Sequence, residues 1–439
     1  VSNRIHALPG GRIAGRIAVP GDKSISHRAL MLSAIGAGES RLSGFLHGED
    51  CLATLAALRA LGVGIETSPY GDVTVRGVGM HGLQSPPHAL DFGNSGTAMR
   101  LMAGLLCAQQ FDSVLIGDDS LMRRPMDRIA VPLKQMGAAI ETSLGRPPVR
   151  ITGGRALRPI DYSLPVASAQ VKSAILLAGL YAEGATRTVC PGVTRDHTER
   201  MLSGLGADVD IQADEFSVVV HGPATLRSMD WQIPGDFSSA AFFIVAALLA
   251  ADPEAKIVNV GLNPTRTGLI HILREMGAQI EVHNEHLVGG EPVGDLRVQR
   301  SDLQGIDIPA EHIASAIDEF PVLFVAAAHA RGISRLRGAE ELRHKETDRL
   351  AVMAEALSRV GVTVEEHRDG IDITGGEIRG GTVDSHGDHR IAMAMAVAAL
   401  RAAEPIEIGN TAQVATSFPG FSQTATQAGM RLRDTEGRS

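Results

Sequence analysis

The sequence predicts an α/β protein made of two similar domains, each holding three copies of one small unit. Three observations carry this. A helical pattern that ends in an apolar residue and a glycine, followed by a short alternating strand, recurs six times in the 439 residues. An aliphatic-Pro-Gly-Asp turn is written twice, as Val19-Pro20-Gly21-Asp22 and Ile233-Pro234-Gly235-Asp236. The two series keep step, because the interval from Gly21 to Gly235 nearly equals that from Gly62 to Gly277.

Taken in order, the copies are LATLAALRALGVGIE (52–66), DRIAVPLKQMGAAIE (127–141), TERMLSGLGADVDI (198–211), GLIHILREMGAQIEV (268–282), DRLAVMAEALSRVGVTVEE (348–366) and a weaker SQTATQAGMRL (422–432). Leu269, Leu273 and Met276, or Leu350, Met353 and Leu357, lie on one helical face. Gly62, Gly137, Gly206, Gly277, Gly361 and Gly429 stand where a helix needs a left-handed cap, which costs glycine nothing because it has no Cβ. The strands that follow alternate, as at Ile280 and Val282, so one face is buried. Pro132 fits its helix only if it falls in the first turn. Units of this kind imply layered domains with sheets packed against helices. The twin turns then mark the two crossings of the chain, giving a discontinuous domain of 1–20 plus 237–439 and a second domain of 21–236.

Composition narrows the function. Hydrophobic residues make up 44% and charged residues 21%, ordinary for a globular chain. A net charge of −9 argues against general nucleic-acid or anionic-membrane binding, so an anionic ligand requires a local group of cations. Cys51, Cys107 and Cys190 form no CxxC pair, which fits a reducing compartment. No run approaches 18 apolar residues and nothing resembles a signal peptide, so a cytoplasmic location is expected.

Two motifs are decoys. Gly77-Val78-Gly79-Met80-His81-Gly82 matches GxGxxG, but Pro86 and Pro87 follow, and a dinucleotide fingerprint must open a helix. A plain turn is the better reading. Asp384-Ser385-His386-Gly387-Asp388-His389 has no standard metal-ligand spacing and reads as a polar loop; no metal is expected.

The first turn differs from its twin in charge. Lys23 and Arg28 surround Ser24 and Ser26, hydroxyls suited to cap a helix start that draws anions. Gly93-Asn94-Ser95-Gly96-Thr97 offers a second nest of approachable amides. Arg123-Arg124-Pro125 places two guanidiniums before a repeat helix, where the dipole disfavours cations. In the second half, Asp318-Glu319 precedes an apolar run, and Glu340 to Arg349 packs opposite charges before the fifth repeat helix. Each of these runs alone could be a solvated helix start. Together they suggest an anionic ligand held by one half and acid/base groups brought by the other.

These residues resemble a known family. Gly21-Asp22-Lys23-Ser24-Ile25-Ser26-His27-Arg28, Gly93 to Arg100, Arg124-Pro125-Met126, Lys345-Glu346-Thr347-Asp348-Arg349 and Asp388-His389-Arg390 are similar, in order and spacing, to the motifs of 5-enolpyruvylshikimate-3-phosphate synthases. Ala167 to Ser173 and Arg195 to Glu199 look like a bacterial branch that includes glyphosate-tolerant members. The resemblance implies the enolpyruvyl transferase fold, with three βαβαββ units per domain, sheets around buried helices, and ligand in an interdomain cleft that closes over it.

The implied reaction joins the 5-hydroxyl of shikimate 3-phosphate to C2 of phosphoenolpyruvate through a tetrahedral adduct and expels phosphate, without metal or cofactor. By matching position, Lys23, Ser24 and Arg28 hold shikimate 3-phosphate, and Lys23 also reaches phosphoenolpyruvate and counts as catalytic. Ser168, Ala169 and Gln170 line the shikimate site, with Arg195 as a phosphate partner. Gly96, Arg124, Arg349 and Arg390 surround phosphoenolpyruvate, and Asn94 is a further substrate-binding residue. Asp318 accepts the hydroxyl proton, and Lys345 and Glu346 move protons at the adduct.

A monomer with only these two small-molecule partners is expected. The chain departs from many relatives at Ala415-Thr416-Ser417, which lacks a lysine before Phe418-Pro419, and at Leu101, where proline is common. The rivals are the sister enzyme acting on UDP-N-acetylglucosamine, which usually has a cysteine in the loop that reads Asp118 to Pro125 here, and a non-catalytic anion-binding protein on the same scaffold.

Overall fold

Every repeat becomes one small sheet with two helices, and the two helices differ in kind. The computed structural model describes residues 3–212, 215–251 and 254–436. The first helix of each repeat is predominantly apolar beyond its first two turns and is buried almost whole: Lys23–Ile35, Gly96–Leu106 and Ala169–Gly179, then Phe237–Leu249, Phe320–His329 and His389–Ala398. A helix without a polar face must lie inside. The second helix of each repeat, such as Gly268–Glu275 or Arg349–Arg359, buries one stripe only. All six glycines expected as caps have left-handed φ, from 86° at Gly62 to 110° at Gly429.

The chain divides into two compact units, one of Val1–Pro20, Pro234–Leu287 and Pro292–Ser439, the other of Gly21–Ile233 and Val288–Glu291. The twin turns alone put the boundary after residue 236. Residues 234–236 go with the first unit instead, because Gly235 and Asn259 join backbones (2.7 Å) and Asp236 N–H donates to Pro20 O (2.8 Å). The four-residue tip at 288–291, which belongs with the second unit, was not visible in the repeat pattern.

In the second unit the middle repeat shows the pattern in full. Strand Leu90–Asp91 runs parallel to Ser113–Ile116, which pairs antiparallel with Arg146–Thr152, and Ala139–Ser143 closes the edge. The third repeat repeats this order with Asp161–Ser163, Gly184–Val189, Ser217–Gly222 and Asp208–Gln212. The first repeat takes its parallel strand, Trp231–Gln232, from the far end of the unit.

The first unit is assembled less locally. Gly15–Ala18 lies parallel to Glu254–Gly261, and Asn3–Gly11 sits between Ile406–Gly409 and Met430–Glu436. In its middle sheet the parallel strand is reduced to isolated bridges at Gln304 and Asp307.

Pro132 is not in a first turn. It is the sixth residue of Asp127–Gln135 and lies buried beside Ile129 and Leu133, so this short helix tolerates one missing N–H donor in exchange for an apolar contact. The GxGxxG stretch opens no helix, and a Cβ on Gly77 would lie 2.3 Å from Gly36 O, so that glycine serves a close backbone approach. None of the three cysteines is in a disulfide, and all three are buried. Among the described residues no helix is long and apolar enough to cross a membrane.

Candidate active site

In the second unit three buried helices bring their N-terminal ends together, and polar side chains bond them in a ring. Asp22, Ser95 and Ser168 cap the helices by accepting from the N–H of Ile25, Ala98 and Val171. Between the first helix and the second cap, His27 Nε2 meets Ser95 Oγ at 3.4 Å, and His27 Nδ1 meets Thr54 Oγ1 at 2.8 Å. Burial, then the charges of Lys23 and Arg28, hold the His27 imidazole well below its ordinary pKa and keep it neutral. Between the second and third helices, Arg100 Nη1 donates to Gln170 Oε1 (2.5 Å) and Gln170 Nε2 donates to Thr97 Oγ1 (2.9 Å). Between the third and first, Arg28 Nη2 donates to Ser173 Oγ (3.0 Å).

Arg28 also donates from Nε to Thr198 Oγ1 (2.7 Å) and from Nη1 to the carbonyl of Ser24 (3.0 Å). Burial lowers its pKa to about 10; Glu199 and Asp22 oppose that shift, and Arg195 adds to it, which places the Arg195 charge near Arg28. Lys23 pairs with Asp50 (2.9 Å) at the start of its own helix. Lys172 and Glu199 form a buried ion pair beneath the same ends.

Arg124 is aimed by its neighbours. Its Nη2 donates to Asn94 Oδ1 (2.7 Å) and Ser120 Oγ (3.3 Å), and Asn94 is itself fixed by donating to Asp118 Oδ2 (2.8 Å). Arg124 Nε is buried with no hydrogen-bond partner. A buried charged donor without an acceptor is costly, so the geometry asks for an anion there. Gly96 opens the second helix between two guanidiniums: a Cβ on it would lie 3.0 Å from Arg100 Nη1 and 3.3 Å from Arg124 Nη1.

The first unit gathers the residues that the family resemblance marks for acid/base work. Asp318 Oδ1 receives Lys345 Nζ (3.4 Å) and Arg349 Nη1 (3.3 Å). Its carbonyl accepts from Arg390 Nη1 at 3.0 Å. Arg349 is fully buried and also donates to Glu346 Oε2 (2.6 Å) and Asp388 Oδ2 (2.8 Å). Burial works against its charge, yet Asp388, Glu346 and Asp318 hold its pKa above the ordinary arginine value. Burial would raise the Asp388 carboxyl; Arg349 outweighs that and keeps it below the usual range. Glu319 accepts from Ser238 and lies 3.6 Å from Arg390 Nη1, so it ties together helix starts at residues 237, 320 and 389.

The structure thus brings Lys23, Ser24, Arg28 and Arg195 into one group and Asn94, Gly96, Arg124 and Gln170 into another, with Ser168 and Ala169 at the head of the helix that carries Gln170. Asp318, Lys345, Glu346, Arg349 and Arg390 form a third group, in the other unit. Sequence reasoning gave no role to Arg100, Ser173, Thr198, Glu319 or Asp388. Most stood inside quoted motifs, but nothing in a single strand of text distinguishes a ring of cross-helix bonds from helix-surface polarity.

The 384–389 run is a capped loop, with Asp384 accepting from His386 N–H (2.7 Å) and Asn410 Nδ2 (2.8 Å). Among the described residues, the groups whose ligand atoms converge are Asp196, His197 and Glu291, and Glu365, His367 and Asp372. In the first, His197 and Glu291 bond each other (2.7 Å) and Asp196 holds Arg200 (2.8 Å). Ala415 to Ser417 adds no cation, and Leu101 is a buried helical residue.

Residues 8–425 match the family model described as EPSP synthase (3-phosphoshikimate 1-carboxyvinyltransferase). The 3-phosphoshikimate 1-carboxyvinyltransferase of Alkalilimnicola ehrlichii is 57% identical over 99% of this chain and 98% of its own length. That of Methylococcus capsulatus is 54% identical over 97% of each. The solved EPSP synthase of Acinetobacter baumannii superposes with a TM-score of 0.90 at 50% identity, covering 99% of this chain and all of that one. The enolpyruvyl transferase NikO from Streptomyces tendae, 17% identical with a TM-score of 0.80, shares the fold. With the motifs, the six-unit architecture and full-length identity in agreement, the chain belongs to the EPSP synthase family.

Proposed function

We propose that this chain transfers the enolpyruvyl group of phosphoenolpyruvate to the 5-hydroxyl of shikimate 3-phosphate, and that the three side-chain groups above divide the work. The observation that carries this reading is the convergence of Asp318 and Glu346 on Arg349, with Lys345 paired to Asp318, so that two carboxylates and an ammonium from the starts of two helices lie within reach of one another.

Lys23, Ser24, Arg28, Ser168, Ala169, Gln170 and Arg195 bind shikimate 3-phosphate. Asn94, Gly96, Arg124, Arg349 and Arg390 bind phosphoenolpyruvate, helped by Lys23. Arg124 offers its unpaired Nε. Arg349 is engaged by three carboxylates, so a ligand anion replaces one of these bonds rather than meeting an idle guanidinium.

Asp318 takes the proton of the attacking hydroxyl as the new C–O bond forms at C2, while C3 gains a proton and the tetrahedral adduct results. The C2–O bond to phosphate then breaks and C3 returns its proton, so the balance needs no oxidant or reductant. Lys345 and Glu346 carry these C3 proton movements. General acid/base groups of this kind typically contribute about 10²–10⁴-fold.

The test is phosphate release from phosphoenolpyruvate with shikimate 3-phosphate, with UDP-N-acetylglucosamine, and with neither. Turnover only with the first is expected; turnover with the second overturns the substrate assignment. The loop from Asp118 to Pro125 has no thiol, which favours the first acceptor. An acid/base set beside anion holders has no use in a protein that only binds.

A further inference from the structure

We propose that Arg100, given no part in the reaction above, is a positioning residue that couples the shikimate 3-phosphate subsite to the phosphoenolpyruvate subsite. This rests on the assignment of Gln170 and Arg124 to those subsites.

A guanidinium only donates. Its bond to Gln170 Oε1 (2.5 Å) therefore fixes which end of the amide faces Arg100, and Gln170 Nε2 is left to donate to Thr97 Oγ1 (2.9 Å). Thr97 and Arg100 are three residues apart on one helix face, so a single turn holds both ends of the amide. The other nitrogen, Nη2, donates to the carbonyl of Pro125 (3.0 Å), the residue after Arg124. One planar fork thus sets the Gln170 amide and the backbone that carries Arg124. The two helices pack too closely to approach further, since a Cβ on Gly104 would stand 2.3 Å from Ala174 O: Gly96–Leu106 and Ala169–Gly179 already touch backbone to backbone. A ligand that moves Gln170 must turn the Arg100 plane, and the turned plane moves the 124–125 segment. Such coupling is reciprocal between the two ligands.

Arg100→Lys keeps the charge and removes the fork. The experiment varies both substrates in initial-rate phosphate release and extracts the factor by which saturating shikimate 3-phosphate tightens phosphoenolpyruvate; calorimetry gives the Kd of shikimate 3-phosphate alone. Loss of one charge-assisted bond predicts a rise of about tenfold in KM for phosphoenolpyruvate, a coupling factor that falls toward one, and a shikimate 3-phosphate Kd within about threefold of wild type. In a Gln170→Ala background the Arg100→Lys penalty is expected to shrink, because most of its path is already cut. An unchanged coupling factor, or fully additive penalties, overturns the proposal. A uniform drop in kcat with a lowered Tm and unaltered KM also overturns it, since that is packing alone. If the wild type itself fails to turn over these two substrates, the functional reading fails instead, and the two failures are distinct.

Discussion

Adding one methyl group at Gly96 is expected to separate glyphosate from phosphoenolpyruvate, which it competes with in this family. Gly96 has an ordinary helical backbone as the first residue of Gly96–Leu106, so alanine brings no backbone strain. The methyl would stand 3.0 Å from Arg100 Nη1 and 3.3 Å from Arg124 Nη1, tighter than ordinary contact, and both guanidiniums must yield by a few tenths of an ångström. They are the ends of long side chains, so the empty protein absorbs the change and its Tm stays put. Each is nevertheless tethered, Arg100 to Gln170 and Arg124 to Asn94, so a ligand that fills the space beside them meets resistance. Glyphosate is one chain atom longer than phosphoenolpyruvate between carboxylate and phosphorus, and it feels the methyl more. Overpacking a tight site costs typically about 1–3 kcal/mol, which is roughly ten- to a hundredfold in the glyphosate inhibition constant. The KM for phosphoenolpyruvate should rise far less. Steady-state phosphate release, with glyphosate varied against phosphoenolpyruvate at saturating shikimate 3-phosphate, reads both constants. Parallel rises in the two, or a wild type undisturbed by millimolar glyphosate, would refute the reasoning. Leu101 gives no ground for a displaced loop, because it is a regular, buried helical residue.

Glu346→Gln is nearly isosteric and keeps an oxygen for Arg349, so the fold and calorimetric binding of shikimate 3-phosphate should survive while turnover falls by about 10²–10⁴-fold; near-normal turnover would move the proton transfers to Lys345. Gly104→Ala places a Cβ 2.3 Å from a backbone oxygen that cannot step aside, and calorimetry should show a loss of about 1–3 kcal/mol, a fall of several degrees in Tm. His329, whose pKa burial and then the nearby Arg401 lower to about 4, stays neutral in the native state while the unfolded chain takes up a proton below about pH 6.5. Stability therefore declines as pH falls from about 6.5 toward 4, by up to about 1.4 kcal/mol per pH unit for this group. Denaturant midpoints across that range should fall less steeply in His329→Gln, with His27 sustaining part of the slope; an unchanged slope would show that His329 titrates normally.

The repeats were legible because their signals are local. A left-handed residue after a helix is a demand that glycine meets within one turn, and all six such glycines were read directly. Pro132 misled because its burial depends on what the helix packs against, not on the helix itself. The reduced strand at 304–307 and the pairing of Asn3–Gly11 with Met430–Glu436 were invisible, since partners so far apart leave no mark in either segment. The site divides along the same line. Clustered charges at helix starts were visible as charges, whereas Ser95, Ser173, Thr198 and Arg100 gain meaning only when the fold places them opposite His27, Arg28 and Gln170.

The strand at Asn3–Gly11, lodged between Ile406–Gly409 and Met430–Glu436, has a consequence for how the polypeptide is made. During synthesis it emerges before either neighbour, and it cannot pair until roughly four hundred further residues have left the ribosome. Gly15–Ala18 waits for Glu254–Gly261 in the same way. The sheets of the second unit draw all their strands from residues 37–232, so that unit can acquire its hydrogen bonds while the first still lacks most of its chain. For that interval an unpaired strand edge is open to wrong partners. A ribosome-bound chain stalled near residue 300 should therefore show protected amides in the second unit's sheets and none at Asn3–Gly11, and protection of that strand should arrive only with Ile406–Gly409 and Met430–Glu436.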